Sequence, residues 1–197
     1  MKPGLSPADR VIVSGLSFGP RVPFSHARLP GLGTPERGDL VVVQPPFLEE
    51  PTVFSRIVEP LANFFSLQKA TLNRNLYGAR VNGYMVKRIV GVPGDTVRLK
   101  SYIASIKPRG ASNFVSEQQL IAGQYRILTS SPAPGWSSSM PLSGNGGELV
   151  LQNDEYFVLG DNRPESSDSR SWGAIGADRI VGKIIYRYWP PRSIGKP

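Results

Sequence analysis

The stretch YFVLGDNRPESSDSRSWG, residues 156–173, opens with the apolar run Tyr156-Phe157-Val158-Leu159, which stops at Gly160. A short apolar run ended by glycine reads as a buried strand, and the polar residues after it as a loop held in one place. The loop, closed by Trp172-Gly173, carries Asp161, Arg163, Glu165, Asp168 and Arg170, with Ser166, Ser167, Ser169 and Ser171 among them. Two carboxylate–arginine pairs are expected to form locally, since a bidentate pair fixes geometry well. A salt-bridged surface turn would have the same composition, but loops on rigid strands are where function concentrates.

The neighbouring segments supply strands to hold that loop. Val11-Ile12-Val13, Leu40-Val41-Val42-Val43, Val81 to Val90, Thr96-Val97-Arg98-Leu99 and Ile180 to Trp189 all carry strand signals bounded by Gly, Pro or Asp. Residues 17–37 are rich in Pro and Gly and read as an irregular excursion or open hairpin. Residues 52–73 differ: Val53, Phe54, Ile57, Val58, Leu61, Phe64 and Phe65 recur at spacings of three and four, the mark of a short amphipathic helix. Pro60 should kink it, and it either docks on its own domain or lies in a membrane interface. Residues 101–148 are rich in Ser, Gly, Pro and Gln. The fold expected is mainly β: a catalytic antiparallel core from 1–100 and 149–197, interrupted at 44–80, and an inserted β-rich cap lobe at 101–148.

The totals narrow the chemistry. A chain of 197 residues, 40% hydrophobic, can build a real core. The formal net charge of +8 points to nucleic acid or an anionic membrane surface as partner. Aromatics interleaved with basic residues, as nucleic-acid binding requires, occur only at Tyr186-Arg187-Tyr188-Trp189, so no nucleic acid is expected. With no cysteine, thiolate catalysis and zinc–thiolate sites are excluded. His26 is the single histidine and lies in a Pro/Gly-rich stretch, so no histidine cluster can hold a metal. No cofactor is called for.

Lys87 is the most informative single residue. In a strand, Met85, Lys87 and Ile89 share one face while Tyr84, Val86, Arg88 and Val90 share the other. A lysine flanked by apolar residues on its own face either snorkels to water or sits in a dry site. Spacing alone favours snorkelling. In a dry site its pKa would fall, and a neutral amine is a competent general base.

Three segments together resemble the type I signal peptidases, the Ser/Lys membrane proteases that remove signal peptides. Arg37-Gly38-Asp39 with Leu40 to Val43 is similar to the family's first strand motif, and Tyr84 to Asp95 (YMVKRIVGVPGD) to its lysine box. Gly160-Asp161-Asn162-Arg163 through Ser166, Asp168-Ser169-Arg170 and Trp172-Gly173 are similar to its GDNR box. The resemblance implies a signal-peptidase-like β fold with Lys87 as general base and Ser166 orienting its amine. It also implies that Arg88 pairs with Asp161 and Asp168 with Arg170 as supports. Met1, Leu5, Met85 and Val86 fall on positions that line the substrate groove. The implied substrates are preprotein signal peptides. The implied location is the cell membrane, with the catalytic domain on the extracytoplasmic side and the anchor outside this chain.

One departure matters. The family's nucleophile precedes a Met-x-Pro-x-Leu pattern, and Met1-Lys2-Pro3-Gly4-Leu5 matches the residues directly after that serine. The expectation is a chain truncated just after its serine and inactive alone, with a protein that truly lacks the serine as the alternative. Ser139-Met140-Pro141-Leu142 is a decoy: it lacks the residue between Met and Pro, and it comes after the lysine. Ser6 and Ser14 do not align with the nucleophile either. The rival readings are a non-catalytic peptide-binding homologue and a related self-cleaving Ser/Lys protease; for the second, no helix-turn-helix region is present.

Overall fold

The computed structural model describes residues 1–19, 30–48, 83–100, 102–121, 125–129 and 146–197. The expected helix at 52–73, His26 and the Ser139–Leu142 decoy lie outside these residues.

The protein is mainly β, in two antiparallel sheets. The first runs in the order β1-β10-β2-β3-β8-β9, and the second in the order β6-β5-β4-β7. The first-sheet strands are β1 (Arg10–Ser14), β2 (Leu40–Val43), β3 (Met85–Gly91), β8 (Glu155–Leu159), β9 (Ile175–Gly176) and β10 (Ile180–Trp189). The second sheet contains β4 (Thr96–Lys100), β5 (Ile103–Lys107), β6 (Val115–Ser116) and β7 (Gly146–Val150). Among the described residues two single-turn α-helices are present: α1 (Glu117–Leu120) comes directly after β6, and α2 (Ser169–Trp172) lies within the 156–173 loop.

Alternation along the central strands sorts their side chains into separate cores. Val41, Val43, Ile89 and Val158 pack in one cluster with Ile180 and Phe18, and Met85 packs against it. Their sequence neighbours Val90, Phe157 and Leu159 pack in a second cluster with Val97, Ala104, Ile106 and Leu151. That second cluster joins the two sheets. A third, smaller cluster of Leu5, Leu40 and Ile184 includes Val86 at its edge. The first sheet is therefore apolar on both faces at Ile89-Val90 of β3 and Phe157-Val158-Leu159 of β8, which is why those residues read as short hydrophobic runs.

The turn between β3 and β4 locks the lysine-bearing strand. Gly94 has φ +86°, a conformation L side chains rarely adopt. The buried Asp95 carboxylate accepts from the Val92 N–H at 2.9 Å and pairs with the Arg37 guanidinium. The β10 strand begins with the expected alternation, but Ile185, Tyr186, Tyr188 and Trp189 are all exposed. Its far end pairs with β1 and, at Arg187, with Gly195 beyond the Pro190-Pro191 stop.

Candidate active site

Pairing between β3 and β2 runs from Met85 to Arg88, matched to Val43 back to Leu40. On the other side of β3, pairing with β8 begins only at Arg88, opposite Leu159. Among the described residues Met85, Val86 and Lys87 thus have one open flank, and a cleft of about 630 Å³ lies beside it. The cleft is walled by Met85, Val86 and Lys87, by Gly160, Asn162, Glu165 and Ser166 of the loop after β8, and by Met1, Leu5 and Asp9 of the leading segment.

Lys87 is buried, with 7% of its surface exposed. The snorkelling expected from spacing does not occur, because the 156–173 loop folds over the amine. Lys87 Nζ donates to Ser166 Oγ at 2.7 Å. Burial pulls the lysine pKa below its ordinary value; Asp168 opposes the shift, while Arg170 adds to it. The amine is held in one orientation and predisposed to the neutral form.

The loop around it is tied by charge. Arg88 Nε and Nη2 grip the two Asp161 oxygens at 3.0 and 2.9 Å, and its Nη1 donates to the Gly38 carbonyl at 2.8 Å. Asp168 accepts from Arg170 Nε at 2.7 Å and Nη2 at 2.8 Å, and from the Gly160 N–H at 2.9 Å. Arg170 also donates to the carbonyl oxygens of Arg163 and Ser166. Ser169 Oγ accepts from the Val158 N–H at 3.0 Å, fastening α2 to β8. Of the two pairs expected within the loop, one forms there, Asp168–Arg170. Asp161 pairs instead with Arg88, 73 positions earlier, and Glu165 accepts from the Asn162 side chain.

Gly160 is glycine for a reason visible here. A Cβ on it would lie 2.0 Å from Ser166 Oγ. Only a bare backbone lets the serine cross over that position to reach Lys87.

Met1 and Leu5 stand with Met85 and Val86 around one cleft. Sequence reasoning passed over Asp9, Glu117 and Tyr125, and took Arg163 only as a member of the loop and its GDNR box. Asp9 and Arg187 form an ion pair at 3.1 Å, and Arg187 also donates to the Gly4 carbonyl at 2.9 Å, so the leading segment is held in place. The buried Glu117–Arg163 pair could not be read from spacing, because its members are 46 positions apart. Among the described residues no group of three or more His, Cys, Asp or Glu side chains could hold a metal.

The signal peptidase, peptidase S26 family matches residues 1–189. Signal peptidase IB of Staphylococcus aureus is 35% identical over 122 residues, covering 58% of this chain and 58% of its own. The probable signal peptidase I-2 of Synechocystis is 26% identical over 195 residues, 99% of this chain and 62% of that one. The chain therefore spans about three fifths of the length of these relatives. A crystal structure of a signal peptidase I from Enterococcus faecalis is 19% identical, with a TM-score of 0.38, over 77% of this chain and 97% of that one.

Proposed function

Because this chain belongs to the signal peptidase family, peptidase S26, we propose that it is the catalytic part of a type I signal peptidase. In this reading it is a serine endopeptidase that cleaves signal peptides from exported preproteins with Lys87 as general base. The observation that carries the proposal is the buried Lys87 amine, 2.7 Å from Ser166 Oγ in the wall of the cleft.

The nucleophile is the serine expected immediately before Met1 in the full-length protein. Met1, to which that residue would be joined, lines the same cleft as Lys87. Neutral Lys87 takes the serine proton as the oxygen attacks the scissile carbonyl, and the protonated amine then donates to the leaving amine. Water activated by the same lysine releases the acyl-enzyme. A substrate lying extended along the open flank of Met85 to Lys87 would complete the ladder that β8 leaves unfilled there. An anionic membrane surface is the second partner proposed, met by the exposed Ile12, Tyr186, Tyr188 and Trp189 beside the exposed Arg10.

The test is cleavage of a preprotein by the full-length protein carrying serine before Met1. Lys87→Ala is expected to lower kcat/KM by roughly 10²–10⁴-fold, the range of general-base catalysis, while the folded fraction stays unchanged. Cleavage undiminished by Lys87→Ala would remove the lysine from the mechanism. Binding without cleavage by the parent would identify a non-catalytic peptide-binding homologue.

A further inference from the structure

Arg163 and Glu117 are each 0% exposed at their side chains, the most deeply buried ion pair among the described residues. Arg163 Nη1 and Nη2 donate to Glu117 Oε1 and Oε2 at 2.8 and 2.7 Å. The same carboxylate accepts from the Ala104 N–H at 2.8 Å and from Tyr125 Oη at 2.6 Å. Glu117 lies in the segment after β6, outside the two sequence motifs that surround Lys87, and nothing in the proposed chemistry uses it.

Two chains of contacts run from Glu117 to the lysine. Through Arg163, whose Nε donates to the Gly160 carbonyl at 2.9 Å, it holds the loop that carries Ser166. Through Tyr125, whose ring lies 4.2 Å beneath the Arg88 guanidinium, it supports the residue next to Lys87 on β3. The backbone of the same segment adds a clasp: the Leu128 N–H donates to the Asp161 carbonyl at 2.8 Å, and the Arg163 N–H to the Leu128 carbonyl at 3.0 Å. The two routes end on opposite partners of the Lys87–Ser166 hydrogen bond. A well-packed apolar pair would serve stability as well as a buried ion pair does, so stability alone does not account for Glu117. Its fan of directed hydrogen bonds sets geometry.

We propose that Glu117 is a positioning residue for the Lys87 amine, acting with Tyr125 through Arg163 and Arg88 to hold Ser166 against it. The inserted segment thereby becomes part of the catalytic apparatus without touching substrate. The inference rests on the reading of Lys87 as base. The groups facing that amine are Ser166, Asp168, Arg170 and Asp161, and none of them is altered in the test.

The decisive variants are Tyr125→Phe, which keeps the ring under Arg88, and the double variant E117L/R163M, which replaces the pair with apolar side chains. Lys87 is titrated by NMR through its ε-carbon resonance, assigned with Lys87→Arg, in the full-length protein without substrate. Loosening the loop admits water to the amine, so its pKa is expected to rise toward that of free lysine in both variants. kcat for preprotein cleavage should fall about tenfold or more with KM little changed, compared with the parent at equal folded fraction. Unchanged Lys87 titration and unchanged kcat in a folded double variant would overturn the proposal. If the double variant does not fold, Tyr125→Phe decides on the same readouts. A parent protein that cleaves nothing would refute the base assignment, whereas the titration still reports whether Glu117 positions the amine.

Discussion

Lys87 has a cost that pH exposes. Its pKa is lowered from 10.5 chiefly by burial. Below the lowered value the folded and unfolded chains both hold the proton, and folding bears the whole penalty of burying an ammonium group. Between the lowered value and 10.5 the folded amine is neutral while the unfolded one is still charged, so stability climbs as pH rises through that window. Lys87→Met is therefore expected to raise the urea midpoint at pH 6, with the gain shrinking toward pH 10.5. Activity should track the same titration, rising with pH as the amine loses its proton. A variant less stable than the parent at pH 6 would show that the amine bears no such penalty. Gly160→Ala tests the other half of the contact. Its new Cβ would meet Ser166 Oγ at 2.0 Å and Cβ at 2.5 Å, so the serine must leave the lysine. A displacement of that size is expected to lower kcat by about 10²-fold, measured against a parent of equal folded fraction.

At the level of elements, the loop after β8 is held less by its own regular structure than by Asp168. That buried carboxylate caps α2 through the Arg170 N–H, holds the Gly160 N–H and neutralises Arg170. Asp168→Ala would leave a guanidinium buried without its partner, and a loss of about 3–5 kcal/mol in unfolding free energy is expected, read by urea denaturation. A loss under about 1 kcal/mol, the range of a single exposed ion pair, would mean that the loop is held mainly by other contacts. The strands were readable in sequence because each obeys a local rule. Leu40–Val43 and Ile180–Trp189 occupy the residues that their apolar runs predict, since Gly-Asp turns and the Pro190-Pro191 stop bound them. The lysine's burial was not readable: it depends on a loop from 79 positions away closing over it. Nor was Glu117, which in sequence is one acidic residue inside the Ser116–Gln119 capping box and whose partner Arg163 lies 46 positions away.

For the whole molecule, the charge of +8 and the bare end of β10 belong together. Tyr188 and Trp189 are 46% and 49% exposed, and the exposed Arg10 of β1 lies opposite Trp189. Binding to vesicles of phosphatidylglycerol in phosphatidylcholine is expected to weaken with added salt. The double variant Tyr188→Ser/Trp189→Ser should weaken it further, by about tenfold, which corresponds to about 1.4 kcal/mol. Equal binding by parent and variant would place membrane contact elsewhere on the chain. The two sheets share the cluster built on Val90, Leu151 and Phe157, so the end of β10 is carried by the same body as the cleft.

The open flank of β3 also sets a reading length. It runs for the three residues Met85 to Lys87 before β8 takes over at Arg88. At about 3.3 Å per residue this is a ruler of about 10 Å. A polypeptide laid against it would be judged on a few consecutive side chains, and everything further along would pass uninspected. Under the proposed function the enzyme is therefore a local reader: it tolerates wide variety among the proteins it meets and is exacting only about the short span that fits the gap.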